Sequence, residues 1–132
     1  IRSFGYVKVS KEGKEFYFAT THLDHKYEDA ARLLQINEIL SHVEQLDLPV
    51  ILGGDLNSRR GSATMDAFQR YFTVNCLSDG APWTVPTPNP TYACDWLIYA
   101  PNKAFVVKSY NVCYWADKES DHFPVTATYV IR

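Results

Sequence analysis

The chain has 132 residues, of which 46% are hydrophobic and 14% aromatic, and its formal net charge is -2 at neutral pH. This apolar content can fill a core, so the composition excludes an intrinsically disordered chain, and the length suits one domain. Arg59-Arg60 is the only adjacent basic pair, so the sequence lacks the basic stripe of an extended nucleic-acid-binding surface. No run approaches the roughly 20 apolar residues of a membrane span.

The first part of the chain has the pattern of a hairpin, a helix and a buried strand. Residues 5–10 and 15–21 alternate as strands do, on either side of the turn residues Glu12-Gly13-Lys14. Residues 28–46 carry apolar residues at spacings of three and four, which predicts an amphipathic helix. The apolar run that ends in Gly53-Gly54-Asp55 predicts a strand covered on both faces.

The second part of the chain is richer in strands. Ser62 can cap a helix over residues 63–72. Residues 78–92 hold four prolines and predict a long surface loop. Three strands are expected after it, over residues 94–99, 105–114 and 124–131. The whole pattern predicts an α/β fold with one mixed, mostly antiparallel sheet and covering helices, cut from a two-sheet sandwich.

The three cysteines Cys76, Cys94 and Cys113 have irregular spacing. No two of them form a Cys-x-x-Cys motif, and an odd number does not make a disulfide framework. We therefore expect free, buried thiols.

Four polar clusters lie where predicted strands meet loops. They are residues 21–25 (Thr-His-Leu-Asp-His), 53–57 (Gly-Gly-Asp-Leu-Asn), Asp95 and residues 120–122 (Ser-Asp-His). Ligands of α/β sheets bind at the carboxyl ends of strands, and three of the four clusters are expected at such ends. Asp95 begins its strand, so that strand should run in the opposite direction.

Asp55 and Asn57 are two positions apart, so both side chains can face one side of an extended segment. A carboxylate and an amide together can hold a water and a phosphoryl oxygen. The alternative is an ordinary turn, where Asp and Asn are favoured anyway. The two readings are about equally good for this string alone.

Asp121 and His122 combine a ligand for a hard cation with a side chain that changes charge near neutral pH. Asp95 precedes an apolar run, so it is expected at the start of a buried strand. A carboxylate in such a place needs a partner for hydrogen bonding or ion pairing. A histidine would suit, and the pair would fix the imidazole tautomer and raise its pKa. Taken by itself, the Asp-His string would be read as a polar loop.

His22 follows the second predicted strand and alone would be read as a surface histidine. The string His22-x-Asp24-His25 also looks like part of the zinc motif of metallo-β-lactamases. That motif needs a further histidine where this chain has Thr20, and its later bridging histidines are lacking. A zinc hydrolase of that type therefore ranks below the following interpretation.

The order of the strings resembles the endonuclease/exonuclease/phosphatase family, whose members include DNase I, apurinic endonucleases and neutral sphingomyelinases. The ordered set is Thr-His-Leu-Asp-His, Arg32-x-x-Gln35, Gly-Asp-x-Asn, Asp-Trp-Leu-Ile-Tyr and Ser-Asp-His-Phe-Pro-Val. The resemblance implies half of a four-layer α/β sandwich, with residues 1–132 as the C-terminal half of a single domain. It also implies hydrolysis of a phosphate ester, with an N-terminal half as partner and Mg²⁺ or Mn²⁺ as cofactor.

The resemblance implies a role for each matching position. Asp55 would orient and deprotonate the attacking water, and Asn57 would bind the phosphate or help hold that water. His122, polarised by Asp95, and His22 would each contact a phosphoryl oxygen. Asp121 would lie at the metal. Arg32 and Gln35 are expected to be structural anchors.

The chain departs from the family pattern in ways that bear on the metal and the substrate. The Asn and Glu that the family's N-terminal half supplies to the metal are not in this chain. Cys94 stands where a basic residue often precedes the Asp-x-Ile strand, and Thr20 stands where an Asn often precedes the Thr-His pair. The substrate could be a phosphorylated small molecule, a lipid headgroup or a nucleic acid. A non-catalytic fragment or binding module of the same fold is the rival interpretation.

Overall fold

The computed structural model of the chain describes residues 1–74 and 82–132, which form two sheets and two α-helices. The elements in chain order are β1 (Phe4–Lys11), β2 (Lys14–Thr21), α1 (Ala30–Val43), β3 (Val50–Asp55), α2 (Ala63–Gln69), β4 (Thr73–Val74), β5 (Asp95–Ala100), a 3₁₀ turn (Asn102–Ala104), β6 (Phe105–Val112) and β7 (Val125–Ile131). The predicted α/β class with a mixed, mostly antiparallel sheet is confirmed. Neither α-helix of the described ranges has the length and hydrophobicity of a membrane span.

The larger sheet has the order β1-β2-β3-β5-β4. Its β2 and β3 strands are parallel, and the other neighbours are antiparallel. Asp95 begins β5, and β5 runs against β3 as the sequence predicted. The prediction of one sheet was wrong in one respect, because β6 and β7 pair with each other in a separate two-stranded sheet.

Several predicted boundaries shift by a few residues. The helix expected over 28–46 is shorter, and α1 gives way at Glu44 to turn-type hydrogen bonds. Ser62 caps α2 as expected, since its Oγ accepts a hydrogen bond of 3.2 Å from the Met65 amide, but α2 ends at Gln69. The two-residue strand β4 was not predicted because so short a segment has no visible alternation.

The predicted loop 78–92 lies partly outside the described residues, as does Cys76. In its described part, Val85 and Tyr92 form an isolated antiparallel bridge, so this end of the loop is folded back on itself. Of the other two cysteines, Cys94 is buried and Cys113 is half-buried, and both are free.

The main core lies between the two α-helices and one face of the larger sheet. Its largest fully buried side chains include Trp96, Phe68, Leu23, Ile36 and Leu52. On the opposite face, the β6–β7 sheet covers a second, smaller cluster around Ile51, Tyr99 and Phe105. The helices therefore cover one face, and the hairpin covers only part of the other.

Gly54 is required by the close approach of β2 to β3. A Cβ atom at this position would lie 1.9 Å from the carbonyl oxygen of Thr21, a backbone atom that cannot move away without breaking the sheet. The glycine therefore lets the end of β3 reach the end of β2, where His22 follows.

Candidate functional site

Asp55 and Asp95 face each other across two strands. Asp55 is the last residue of β3 and Asp95 the first of β5, and the antiparallel register pairs them directly. Because side chains alternate along a strand, both carboxylates lie on the sheet face that the α-helices leave uncovered. Their side chains are 17% and 20% exposed, so both are partly desolvated yet open to a ligand.

His122 is joined to Asp95 by a hydrogen bond. Its Nδ1 atom lies 2.9 Å from Oδ2 of Asp95, and its own side chain is 29% exposed. Burial lowers the pKa of His122, but the hydrogen bond that it donates to Asp95 and the charges of Asp95, Asp55 and Asp121 outweigh this effect, so the pKa is raised. The predicted contact between Asp95 and His122 and the predicted direction of the pKa shift are both confirmed.

Thr84 completes this arrangement from the proline-rich loop. It is fully buried, and its hydroxyl donates a hydrogen bond of 2.5 Å to Oδ2 of Asp95. The same Oγ1 atom accepts from the backbone N–H of Cys94 at 3.2 Å. One oxygen of Asp95 is therefore held between the hydroxyl and the imidazole, which fixes the orientation of the carboxylate.

The segment that carries His122 is supported by the proline-rich loop. The Phe123 amide donates to the carbonyl of Thr84 at 2.7 Å, and the Thr87 amide donates to the carbonyl of Asp121 at 3.0 Å. The Thr87 hydroxyl adds a bond of 2.7 Å to the carbonyl of Ser120. Residues 120–122 lie in the connection between β6 and β7, as the sequence predicted, and are held there by another loop.

His22 and Asn57 meet Asp55 from two sides. Nε2 of His22 lies 3.3 Å from Oδ2 of Asp55. Oδ1 of Asp55 accepts a hydrogen bond of 2.8 Å from the backbone N–H of Asn57. Nδ2 of Asn57 donates to the carbonyl of Leu23 at 3.0 Å, and its second hydrogen remains for a ligand. Asn57 has a φ of 46°, a left-handed conformation that Asn tolerates better than most residues.

Arg32 holds the loop that follows His22. It is 5% exposed, and its guanidinium donates to the carbonyls of Asp24, Lys26 and Tyr27. It also pairs with Asp29 at 2.8 Å. Since these acceptors belong to residues 24–29, Arg32 acts as a structural anchor, as the sequence predicted for it.

Gln35 adds to this support, because its Oε1 accepts a hydrogen bond of 2.9 Å from the Asp24 amide. The loop after β2 is thus fastened to α1 at several points, and its conformation sets the position of His22.

Cys94 lies directly behind the Asp95–His122 pair. Its Sγ atom is 3.3 Å from Oδ2 of Asp95 and 3.8 Å from Nδ1 of His122. Burial, followed by the nearby charges of Asp95 and Asp55, raises the pKa of the thiol well above its usual range. The side chain is therefore a neutral thiol at neutral pH.

The site opens into a cleft of about 480 Å³. Asp55, Asp95 and His122 line it, together with apolar side chains of the uncovered face such as Phe18 and Leu97. Phe18 is 43% exposed, so the cleft has one polar end and one open apolar wall. This shape suits a ligand with a charged group and an apolar or extended part.

Asp121 lies beside His122 but apart from the convergence around Asp55 and Asp95. Its carboxylate is exposed, and Oδ1 lies 3.4 Å from Oγ of Ser120. Magnesium takes six oxygen ligands in near-octahedral geometry. Asp55 and Asp95 line the cleft, and Asp121 directly precedes the lining residue His122. The donors present therefore fit part of a Mg²⁺ shell and not all of it.

Two residues next to the pair were missed as site residues at the sequence level. Thr84 lies in a segment that reads as a surface loop, and Cys94 reads as a buried thiol. The position of Thr84 between Pro82 and Pro86 was the available signal in the sequence. That position does not indicate which carboxylate the threonine would contact.

Three comparisons with known proteins bear on the family. No family model matches the chain. Sphingomyelinase C 1 of Leptospira interrogans serogroup Icterohaemorrhagiae serovar copenhageni (strain Fiocruz L1-130) is 37% identical over an alignment of 97 residues, and the match covers 65% of this chain and 16% of that protein.

Among solved structures, an endonuclease/exonuclease/phosphatase family protein from Bacteroides thetaiotaomicron superposes with a TM-score of 0.72 and 26% identity over 99% of this chain. The chain therefore shares the fold of the endonuclease/exonuclease/phosphatase family structures and resembles them in sequence. A second family structure, the mannosyl-6-phosphatase of Bacteroides thetaiotaomicron VPI-5482, gives a TM-score of 0.72 and 26% identity over 98% of the chain.

The chain spans 55% and 57% of these two structures, about half the length of each. With this family fold established, the metallo-β-lactamase alternative is set aside.

Proposed function

We propose that the chain is the C-terminal half of a single domain that hydrolyses phosphate esters with the help of a divalent metal ion. The observation that carries this proposal is the hydrogen-bonded pair of Asp95 and His122, which lines one cleft together with Asp55. Folding does not require two carboxylates and an imidazole to converge at an open cleft, so their convergence points to a chemical role.

In the proposed reaction, Asp55 orients and deprotonates the attacking water, and Asn57 helps to hold that water or a phosphate oxygen. Asp95 keeps His122 charged and oriented, so that His122 can donate a hydrogen bond to a phosphoryl oxygen. His22 contacts a further oxygen. Phosphoryl transfer depends mainly on positioning and on neutralising charge, which these groups supply.

Asp121 would hold Mg²⁺ or Mn²⁺ together with oxygen ligands from the N-terminal half, and the ion would neutralise charge on the phosphoryl group. The N-terminal half is thus the proposed partner of this chain. The uncovered sheet face, with the half-exposed Phe18, is compatible with a second sheet packing there.

The proposed substrate is a phosphorylated small molecule or a lipid headgroup rather than a nucleic acid. The similarity to a protein named sphingomyelinase C favours a phosphodiester headgroup, and the mannosyl-6-phosphatase favours a sugar phosphate. The sequence has no basic stripe of the kind that binds an extended polyanion, which argues against DNA or RNA.

The test is hydrolysis by the full-length protein with Mg²⁺, on sphingomyelin vesicles, mannose 6-phosphate, single-stranded DNA and bis(p-nitrophenyl) phosphate. We expect turnover of at least one lipid or sugar substrate, and Asp55→Asn should lower it at least about 100-fold because the general base is lost. The exposed Asp117 offers a matched control, Asp117→Asn. No turnover of any substrate, or full activity in Asp55→Asn, would favour the non-catalytic binding module instead.

A further inference from the structure

Four potential metal ligands of different chemistry lie together at the back of the cleft. Asp55, Cys94, Asp95 and His122 each offer one ligand atom, and these atoms all lie within 4.8 Å of one another. A thiol and an imidazole are poor partners for Mg²⁺ but good ones for softer ions such as Zn²⁺. The donor set therefore differs in kind from the oxygen site proposed at Asp121.

Two of the three distances among the ligand atoms of Cys94, Asp95 and His122 fall in the range of a tetrahedral shell, and the third is shorter by a few tenths of an ångström. Bond lengths of about 2.0–2.1 Å to nitrogen or oxygen and about 2.3 Å to sulfur put tetrahedral ligands roughly 3.3–3.8 Å apart. The observed separations are 2.9 Å from His122 Nδ1 to Asp95 Oδ2, 3.3 Å from Cys94 Sγ to the same oxygen, and 3.8 Å from Cys94 Sγ to His122 Nδ1. Shifts of a few tenths of an ångström would make room for the ion.

We propose that Cys94, Asp95 and His122, with Asp55 as the fourth ligand, form a binding site for a soft divalent cation such as Zn²⁺. The ion can reach Asp55, Asp95 and His122 through the cleft that they line, and the buried Cys94 lies behind them. On binding, the Cys94 S–H bond and the Nδ1–H bond of the charged His122 break, a sulfur–zinc and a nitrogen–zinc bond form, and two protons are released to solvent. Thr84 keeps its hydrogen bond to the carboxylate of Asp95 and so orients a ligand from outside the shell.

Occupation of this site would inhibit the enzyme, and this part of the proposal depends on the proposed function. Nδ1 of His122 cannot bind zinc and hold its hydrogen bond to Asp95 at the same time. The ion would also engage Asp55, the proposed base. Zinc would thus occupy three of the proposed catalytic groups, Asp55, Asp95 and His122, without Asp121 as a ligand.

Equilibrium binding tests the site without reference to activity. Zn²⁺ titration of the protein by calorimetry should give one site whose affinity falls at least about tenfold in Cys94→Ser, since even the loss of a residue outside the shell costs that much. Cys113→Ser is the matched control, because Cys113 is the other free cysteine of the described ranges, and its affinity should be unchanged. Cobalt(II) should give thiolate-to-metal charge-transfer absorption in the unchanged protein and in Cys113→Ser, but not in Cys94→Ser.

A spectroscopic measurement on a protein that keeps Cys94 covers the case in which Cys94→Ser fails to fold. X-ray absorption at the zinc edge of the loaded Cys113→Ser protein should show one sulfur ligand at about 2.3 Å beside nitrogen and oxygen ligands. Equal zinc affinity in a folded Cys94→Ser variant, or a zinc shell without sulfur, would overturn the site.

The inhibitory effect has its own assay. In excess Mg²⁺, Zn²⁺ should lower phosphoester hydrolysis, and Cys94→Ser should need at least about tenfold more zinc for the same fractional loss. Hydrolysis that is insensitive to zinc would overturn the inhibition. Absence of hydrolysis even without zinc would instead count against the proposed function, and the calorimetry and X-ray absorption results would still decide on the site.

Discussion

Thr84 donates a hydrogen bond of 2.5 Å to Oδ2 of Asp95, the same oxygen that lies 2.9 Å from Nδ1 of His122. The hydroxyl is fully buried, so its partner cannot be replaced by solvent. Asp95 therefore cannot rotate away from His122 without leaving a buried polar group unpaired. Thr84 acts as a positioning residue for the pair.

Thr84→Val keeps the shape of the side chain but removes the hydroxyl. We expect the free energy of unfolding to fall by about 1–3 kcal/mol, because the Cys94 amide loses its acceptor and Asp95 loses a donor. In the full-length enzyme, turnover should fall about tenfold, as for other residues that orient site groups, with little change in KM. Urea unfolding and steady-state kinetics measure the two effects. Thr91→Val, at an exposed position of the same loop, should change neither, and an equal loss in both variants would contradict the positioning role.

Asp95→Asn should lower the pKa of His122, because the carboxylate that favours the charged imidazole is gone. The imidazolium would then be lost at a lower pH, and the high-pH limb of the activity profile should move down with it. Turnover should fall more than substrate affinity. The measurement is an NMR titration of the His122 resonances in the unchanged protein and in Asp95→Asn. An unchanged His122 titration would argue against the ion pair.

The same pair makes stability depend on pH. Because the folded pKa of His122 is raised, its contribution to stability is fully present below the unfolded imidazole pKa of about 6.5 and is lost as pH rises through the folded value. Asp95→Asn should flatten this part of the curve of unfolding free energy against pH.

Gly54→Ala should destabilise the fold, because the new Cβ would lie 1.9 Å from the Thr21 carbonyl oxygen. We expect a loss of about 3 kcal/mol, at the upper end for overpacking, since a strand must shift. Gly5→Ala is the matched control, as nothing lies within 4 Å of a Cβ at that position. Thermal or urea unfolding of both variants decides the point, and equal stability would mean that β2 and β3 can separate at little cost.

Metal binding should differ between this chain alone and the complete enzyme that we propose. With Asp121 as the proposed metal ligand and no oxygen ligand from the N-terminal half, the chain should bind Mg²⁺ weakly and hydrolyse little or no phosphodiester. Adding the N-terminal half should restore both, because it would supply the remaining charged ligand and close the site from solvent. Mg²⁺ calorimetry and a phosphodiester assay on both forms test this. Tight binding and full activity in the chain alone would show that the metal ligands are misassigned.

The sequence predicted well what depends on local pattern. The alternation of β1 and β2, the amphipathic pattern of α1, and the opposite direction of β5 all follow from spacing along the chain. The contact between Asp95 and His122 was also predicted, because a carboxylate at the start of an apolar strand needs a partner.

The sequence predicted poorly what depends on contacts between distant segments. Nothing in the spacing of β6 and β7 indicates that they leave the larger sheet to cover Ile51 and Tyr99. The support of residues 120–122 by Thr84 and Thr87 depends on how a proline-rich loop folds back, and its prolines and polar residues are equally compatible with an open surface loop.

This support has a practical consequence for attempts to change substrate preference. The segments 84–92 and 120–123 share three backbone-anchored hydrogen bonds, from Phe123 to Thr84 and from Thr87 to Asp121 and Ser120. Replacing only one of these segments with that of a relative would remove the hydrogen bonds that position the other segment. His122 would then no longer be held beside Asp95. A chimera made to change substrate preference should therefore take both segments, 84–92 and 120–123, from the same relative.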